Sequence, residues 1–199
     1  MKKTLVILTF FAFLSSYAQK INFGIKAGLN LSTLTADADK IMSSSTGFHA
    51  GAFVEFKALG KIAVQPELLF SAQGAKFEGK DVSSVLESTQ KMDYVVVPVM
   101  LKYYVLSVGG LFLEAGPQVG FLVSAKNEVQ NKLTNVSTTE DIKDATKGLD
   151  TSVNFGVGYD ILDKIVVQTR YSLGLTNVSE ADEVTSKNGV FQLSLGYKF

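Results

Sequence analysis

Eight segments of this chain alternate apolar and polar side chains with a period of two, and that alternation restricts the fold more than any other feature. A period of two is the mark of a strand with two unlike faces. In the first segment, Lys20 to Leu31, Ile21, Phe23, Ile25, Ala27, Leu29 and Leu31 share one face, and Asn22, Gly24, Lys26, Gly28 and Asn30 share the other. The second, Gly47 to Lys57, sets Phe48, Ala50, Ala52, Val54 and Phe56 against His49, Gly51, Glu55 and Lys57, with Phe53 out of pattern. The third, Lys61 to Lys76, opposes Ile62, Val64, Pro66, Leu68, Phe70 and Ala72 to Gln65, Glu67, Ser71 and Gln73. The fourth, Met92 to Val105, is largely apolar on both faces, with Val95, Val97, Val99, Leu101 and Tyr103 outward and Tyr94, Val96, Pro98, Met100 and Lys102 inward.

The remaining four repeat the scheme. Leu111 to Lys126 alternates Leu113, Ala115, Pro117, Val119, Phe121 and Val123 with Glu114, Gly116, Gln118, Gly120 and Ser124. Thr151 to Ile161 sets Val153, Phe155, Val157 and Tyr159 against Asn154, Gly156, Gly158 and Asp160. Ile165 to Leu175 opposes Val167, Tyr171, Leu173 and Leu175 to Gln168, Arg170, Ser172 and Gly174, and Gly189 to Phe199 opposes Phe191, Leu193, Leu195, Tyr197 and Phe199 to Gln192, Ser194, Gly196 and Lys198. Seventeen Gly and fourteen Phe against three Pro and no Trp suit such strands better than packed helices.

Charge decides which way the faces point. Lys26, Glu55, Lys57, Glu67, Lys102, Glu114, Asp160, Arg170 and Lys198 all fall on the glycine-bearing face, and the other face reads as free of charge. A soluble barrel turns its apolar face inward and its charges to water. Here the apolar face must point outward into lipid, and the charges must pair inside a lumen that eight strands leave only wide enough for side chains. The expected fold is therefore all-β, an eight-stranded antiparallel up-and-down transmembrane β-barrel. Pro66, Pro98 and Pro117 lie within strands, so bulges or local breaks are expected there.

The connections alternate as well. Ser32 to Thr46, Phe77 to Lys91, Asn127 to Asp150 and Thr176 to Asn188 read as long and polar, whereas Ala58 to Gly60, Leu106 to Gly110 and Leu162 to Lys164 are short. Long loops at one end and short turns at the other are what bacterial outer-membrane barrels show. Met1-Lys2-Lys3, the apolar run Leu5 to Leu14 and the small residues Ser16 and Ala18 read as a secretory signal peptide over residues 1–18, cleaved after Ala18. An apolar run of about ten residues is half of what a membrane helix needs. Removal of Lys2 and Lys3 leaves 17 basic residues against 19 acidic, and the barrel domain then occupies 19–199. No Cys stands at the cleavage site, so no lipid anchor is expected there. The expected location is the outer membrane of a Gram-negative cell.

The segments Gly24-Ile25-Lys26-Ala27-Gly28-Leu29-Asn30-Leu31, Pro66-Glu67-Leu68-Leu69-Phe70, Pro98-Val99-Met100-Leu101-Lys102-Tyr103-Tyr104, Gly116-Pro117-Gln118-Val119-Gly120 and Arg170-Tyr171-Ser172-Leu173-Gly174-Leu175 closely resemble the PorT-like outer-membrane β-barrel family of Bacteroidota. Ala18-Gln19 at the cleavage site and the terminal Phe199 are similar to that group too, and the likeness runs over nearly all of the mature chain. The resemblance implies fold and location. It also brings in type IX protein secretion, to which the member that named the family is linked.

Composition narrows the chemistry. Balanced charge without a basic block gives no footprint for nucleic acid. The absence of Cys removes thiolate metal sites, iron–sulfur clusters, thiol nucleophiles and disulfides. Asp37, Asp39 and Lys40, and Glu180, Asp182 and Glu183, lack the spacing of a calcium loop and read as solvated loop charge. Gly156-Val157-Gly158 lies in a strand without a following helix, so it reads as relief of crowding rather than a nucleotide fingerprint. No cofactor or metal is expected. His49, with Ser71 and Gln73 at similar depth, is the one place where a lipid A-modifying activity would sit, but no Ser–His–acid spacing supports it and a hydrogen-bonded filler is the simpler reading.

Lys26, Glu55, Glu67, Lys102, Glu114, Asp160, Arg170 and Lys198 are thus expected to form an interior charge network. Tyr94, Tyr103, Tyr104, Tyr159, Tyr171, Tyr197, Phe191 and Phe199 supply candidates for aromatic girdles. Phe191, Leu193, Leu195, Tyr197 and Phe199 resemble the terminal signal read by the barrel-insertion machinery, with Tyr197 and Phe199 as its key residues. The functional expectation is a non-enzymatic barrel in contact with outer-membrane lipid that scaffolds an envelope complex or shows loops 77–91 and 127–150 to an envelope protein. A narrow channel for ions or small solutes is the rival; close pairing of Glu55, Glu67, Lys102 and Arg170 would speak against it.

Overall fold

Strands carrying one apolar and one polar face associate edge to edge until no free edge is left, and closure into a ring removes the edges altogether. The computed structural model describes residues 20–36, 40–41, 43–57, 60–78, 86–105, 110–131, 137–177 and 186–199; the segment 1–18, read above as a signal peptide, lies outside them. The strands are β1 (Lys20–Ala36), β2 (Lys40–Ile41), β3 (Ser43–Lys57), β4 (Ile62–Glu78), β5 (Leu86–Tyr104), β6 (Leu111–Asn131), β7 (Ser137–Asp141), β8 (Leu149–Ile161), β9 (Ile165–Gly174) and β10 (Ser186–Lys198). Eight of them form the ring β1-β3-β4-β5-β6-β8-β9-β10, every neighbouring pair antiparallel, closed by β10 on β1 from Gly24 opposite Lys198 to Ala36 opposite Ser186. The two-residue β2 folds back on β1, and β7 adds to β6 above the start of β8. No helix among the described residues is long and apolar enough to cross a membrane.

The phase read from the sequence holds in the eight ring strands, including the fourth, up to the bulge in β6, where Ser124, expected inward, comes to the outer face beside Asp93. Leu195 is 61% exposed and Phe23 60%, while Arg170 is 1% exposed and Lys102 fully buried. Large exposed side chains of this kind cover the outer wall on every strand of the ring. A water-soluble monomer does not tolerate a continuous apolar belt of that extent; a lipid environment does.

Glycines inside the barrel make room for large rings. Phe53, the residue out of pattern, faces inward and pairs with Gly24, where a Cβ would lie 2.3 Å from the ring. Phe112 pairs with Gly158 in the same way, again with 2.3 Å to an added Cβ. The turn between β8 and β9 is tight: Leu162 and Asp163 both have positive φ, of 52° and 58°, as the two central residues of an I′ turn require, and Lys164 N–H closes it on Ile161 O at 3.1 Å.

Several expectations are corrected. The four long connections are partly strand: β1 continues to Ala36, β3 begins at Ser43, β4 reaches Glu78, β5 begins at Leu86, β6 reaches Asn131, β8 begins at Leu149 and β10 begins at Ser186. Beyond the lipid the outer face turns polar, so the apolar stripe that marks the strand ends there. The outer face is also not free of charge to its ends, because Lys91 and Lys126 stand on it above the apolar belt. The prolines give local breaks in the ladders, as expected, but no bulges. The β3–β4 pairing skips Gln65 and Pro66, β4–β5 skips Val97 and Pro98, and β5–β6 skips Gly116 and Pro117, each resuming in the same register. The register shifts fall elsewhere, between Ser44 and His49 and between Asp93 and Tyr94.

Candidate functional site: a charge-paired lumen

Inward residues come from alternate strands at each level, as the stagger of a closed barrel requires, and the charges sort into two layers. One layer draws on β1, β4, β6 and β9. Arg170 of β9 donates through Nη1 and Nη2 to both oxygens of Glu67 on β4, at 3.0 and 2.8 Å, and through Nε to Glu114 of β6 at 2.8 Å. Lys26 of β1 reaches Glu67 at 2.6 Å. Gln65 donates to Glu67 at 2.7 Å, and Gln168, with its amide oxygen toward the two cations, accepts from Lys26 and Arg170 at 3.2 Å each.

The other layer draws on β3, β5, β8 and β10. Lys198 of β10 bridges Glu55 of β3 at 3.0 Å and Asp160 of β8 at 2.5 Å. Tyr104 of β5 donates toward the same two carboxylates, at 2.9 and 3.0 Å. Lys102 of β5 lies 3.4 Å from Glu55 with its ammonium 4.1 Å from the centre of the Phe112 ring. Each layer holds two cations and two anions, so each is neutral by itself. Removing a charge from water is costly unless it is paired and hydrogen-bonded, and this distribution gives each of the eight buried charges an opposite charge within its own layer.

All eight residues expected inside are therefore brought together, in two groups of four. Lys57, also expected inside, sits at the rim with its side chain 26% exposed, between Glu55 and Asp163 at 3.9 and 3.7 Å. Sequence reasoning missed Tyr104, a girdle candidate whose hydroxyl turns inward, and Asp150, placed in a loop but buried against Asn188 at 2.9 Å. Asp150 keeps the period of Ser152 and Asn154, which is the signal that would have found it. Tyr94, another girdle candidate, is fully buried in an apolar cluster with Leu69, Met92, Val96, Leu122 and Ala125. Tyr103, Tyr159, Tyr171, Tyr197, Phe191 and Phe199 do face outward.

Above the charge layers lies a neutral polar level. His49 pairs with Ser71 in register, yet its ring bonds to neither Ser71 nor Gln73: Nδ1 meets Asn30 Oδ1 and Nε2 meets Ser194 Oγ, both at 2.8 Å. The Asn30 acceptor puts the proton on Nδ1, so Ser194 donates to Nε2. Asn30 shares its two amide hydrogens among Phe48 O, Ser71 Oγ and Ala72 O. Hydroxyl, imidazole and amide are all buried, and no carboxylate touches the imidazole among the described residues. No cluster of metal-ligating side chains occurs among the described residues.

A closed antiparallel ring, apolar outside, charge-paired inside and tied by short turns at one end, defines an integral outer-membrane β-barrel. The chain belongs to the outer membrane protein beta-barrel domain family, whose model matches residues 17–180. No curated protein matches the sequence. Among solved structures it is similar to Neisserial surface protein A, at 12% identity over 89% of this chain and 97% of that one, with a TM-score of 0.53. It is also similar to Ail, the attachment invasion locus protein of Yersinia pestis, at 18% identity over 89% and 98% with a TM-score of 0.48. OprG from Pseudomonas aeruginosa gives 11%, 91% and 97% with a TM-score of 0.43. At such identities the likeness is one of fold.

Proposed function

We propose that this protein is a non-enzymatic outer-membrane barrel that scaffolds an envelope complex or presents its long-loop end to a partner protein. The observation that supports this reading is the Arg170–Glu67 pair, which crosses the lumen from β9 to β4, the strand opposite in the ring, with Lys26 and Glu114 filling the same level. A lumen braced in that way favours surface contacts over transport. The strands that rise beyond the lipid, β4 to β7, supply the surface, and the resemblance to PorT-like barrels points toward protein secretion as the setting. Export through the signal peptide and insertion through the terminal Tyr197 and Phe199 belong to the same reading.

The test is gentle cross-linking in native envelopes, followed by affinity isolation of the barrel and identification of what is recovered in near-stoichiometric amount. The scaffold reading expects one defined envelope protein, lost when Thr138 and Glu140 of β7 are changed to Lys while the barrel itself still assembles. Repeated isolation of the barrel alone would reject it and shift attention to the narrow channel.

A further inference from the structure

The outward face of β3 to β6 changes character at one level. Phe70 pairs with Val95 and Val95 with Phe121, all apolar; one alternation higher Ala72 pairs with Asp93 and Asp93 with Ser124. The register shift between Asp93 and Tyr94 falls at this level, where β6 carries one extra residue. A bulge bends and twists its strand, and β7 extends the sheet beside β6. Together they leave an outward concavity of about 520 Å³ whose lining includes Phe48 and Thr46 of β3, Ala72 of β4, Lys91 of β5, Lys126 of β6 and Thr139 of β7.

Lys91 and Lys126 are direct cross-strand partners in this groove. Like charges placed opposite each other cost stability unless something neutralises them. Glu128 meets Lys91 at 2.5 Å. Lys126 closes no ion pair among the described residues, although Asp141 of β7 stands opposite it in register. Asp93 and Glu128 also line the groove, so it is mixed in charge rather than simply basic. That mixture suits a headgroup that carries both anions and hydroxyl donors.

We propose that the groove holds the headgroup of a phosphorylated, acylated sugar of the outer leaflet. Its phosphate lies between Lys91 and Lys126, its sugar hydroxyls donate to Asp93 and Glu128, and its acyl chains run down over Phe48 and Phe70, whose rings already touch at 5.7 Å between centroids. The position carries the assignment: the lysines stand one to two alternations above the end of the apolar belt, at the depth where lipid phosphates lie. Charge attraction at such an interface is less screened than in bulk water.

The test is native mass spectrometry of the refolded barrel in detergent, offered hexa-acyl lipid A with both phosphates, the same lipid without phosphates, or inorganic phosphate. The expected result is one retained copy of the phosphorylated lipid, at least tenfold weaker retention in the Lys91→Gln/Lys126→Gln double variant, and unchanged retention in Lys126→Arg. Lys187→Gln, which removes an exposed lysine from β10, serves as the charge control and should bind as the parent does. Heat-modifiable gel mobility shows that each variant is folded. No retention by the parent, equal retention of both lipids, or equal retention by the parent and the double variant would overturn the proposal. Displacement by millimolar inorganic phosphate would overturn the lipid as its source.

Discussion

The guanidinium of Arg170 on β9 grips both oxygens of Glu67 on β4, at 3.0 and 2.8 Å, from the strand that faces it across the ring. Neither side chain is within reach of solvent. The pair ties opposite walls of the barrel together at the level where Lys26 and Glu114 also converge.

Breaking that brace should cost far more than replacing it. Arg170→Met leaves Glu67 and Glu114 as buried anions short of a cation, for which the loss is about 3–5 kcal/mol. Glu67→Gln together with Arg170→Met restores neutrality at that level and should recover much of the loss. Urea unfolding in lipid vesicles, read by heat-modifiable mobility, compares the two; equal losses would mean that the charges are not coupled.

The height of the apolar belt is testable with one residue type at two depths. Leu195→Arg puts a charge on the lipid face within the belt and should destabilise by about 2–4 kcal/mol. Thr46→Arg lies above Phe48 on the same outward face and should cost about 0–1 kcal/mol. Equal costs in the same unfolding assay would misplace the membrane boundary.

Gly158 and Phe112 should behave as a unit. Gly158→Ala puts a Cβ 2.3 Å from the Phe112 ring, an overpacking expected to cost about 1–3 kcal/mol. Adding Phe112→Leu should relieve most of it. Additive losses in the double variant would show that the ring is free to move away.

Phe199 closes the seam: its backbone N–H donates to Phe23 O at 2.8 Å, and its ring meets Tyr197 edge-on at 5.6 Å. Deletion of Phe199 should lower the amount of barrel inserted in the outer membrane, with Tyr197→Ala acting in the same direction. Unchanged outer-membrane levels on immunoblots of fractionated envelopes would remove these residues from assembly.

What the sequence made legible was phase. Alternation placed Lys26, Glu67 and Arg170 inside and Phe23, Leu195 and Tyr103 outside, because lipid imposes an apolar outer face on every strand that crosses it. Two things were hidden for physical reasons. Strand ends outside the lipid carry polar residues where the outward apolar stripe would continue, such as Thr33 of β1 and Thr89 and Lys91 of β5, so they read as loop. The sorting of charges into two neutral layers depends on the stagger between strands, which sets Tyr104 beside Asp160 and Arg170 beside Glu114 although nothing local in the chain links them. The inward turn of Phe53 follows only once Gly24 is known to lie opposite.

A barrel closed by its own side chains should not conduct. In planar bilayers the purified, refolded parent protein should give no stable conductance steps in moderate salt, and steps should appear only when Glu67, Glu114 and Arg170 are together reduced to Ala. Reproducible steps from the parent protein itself would contradict that closure.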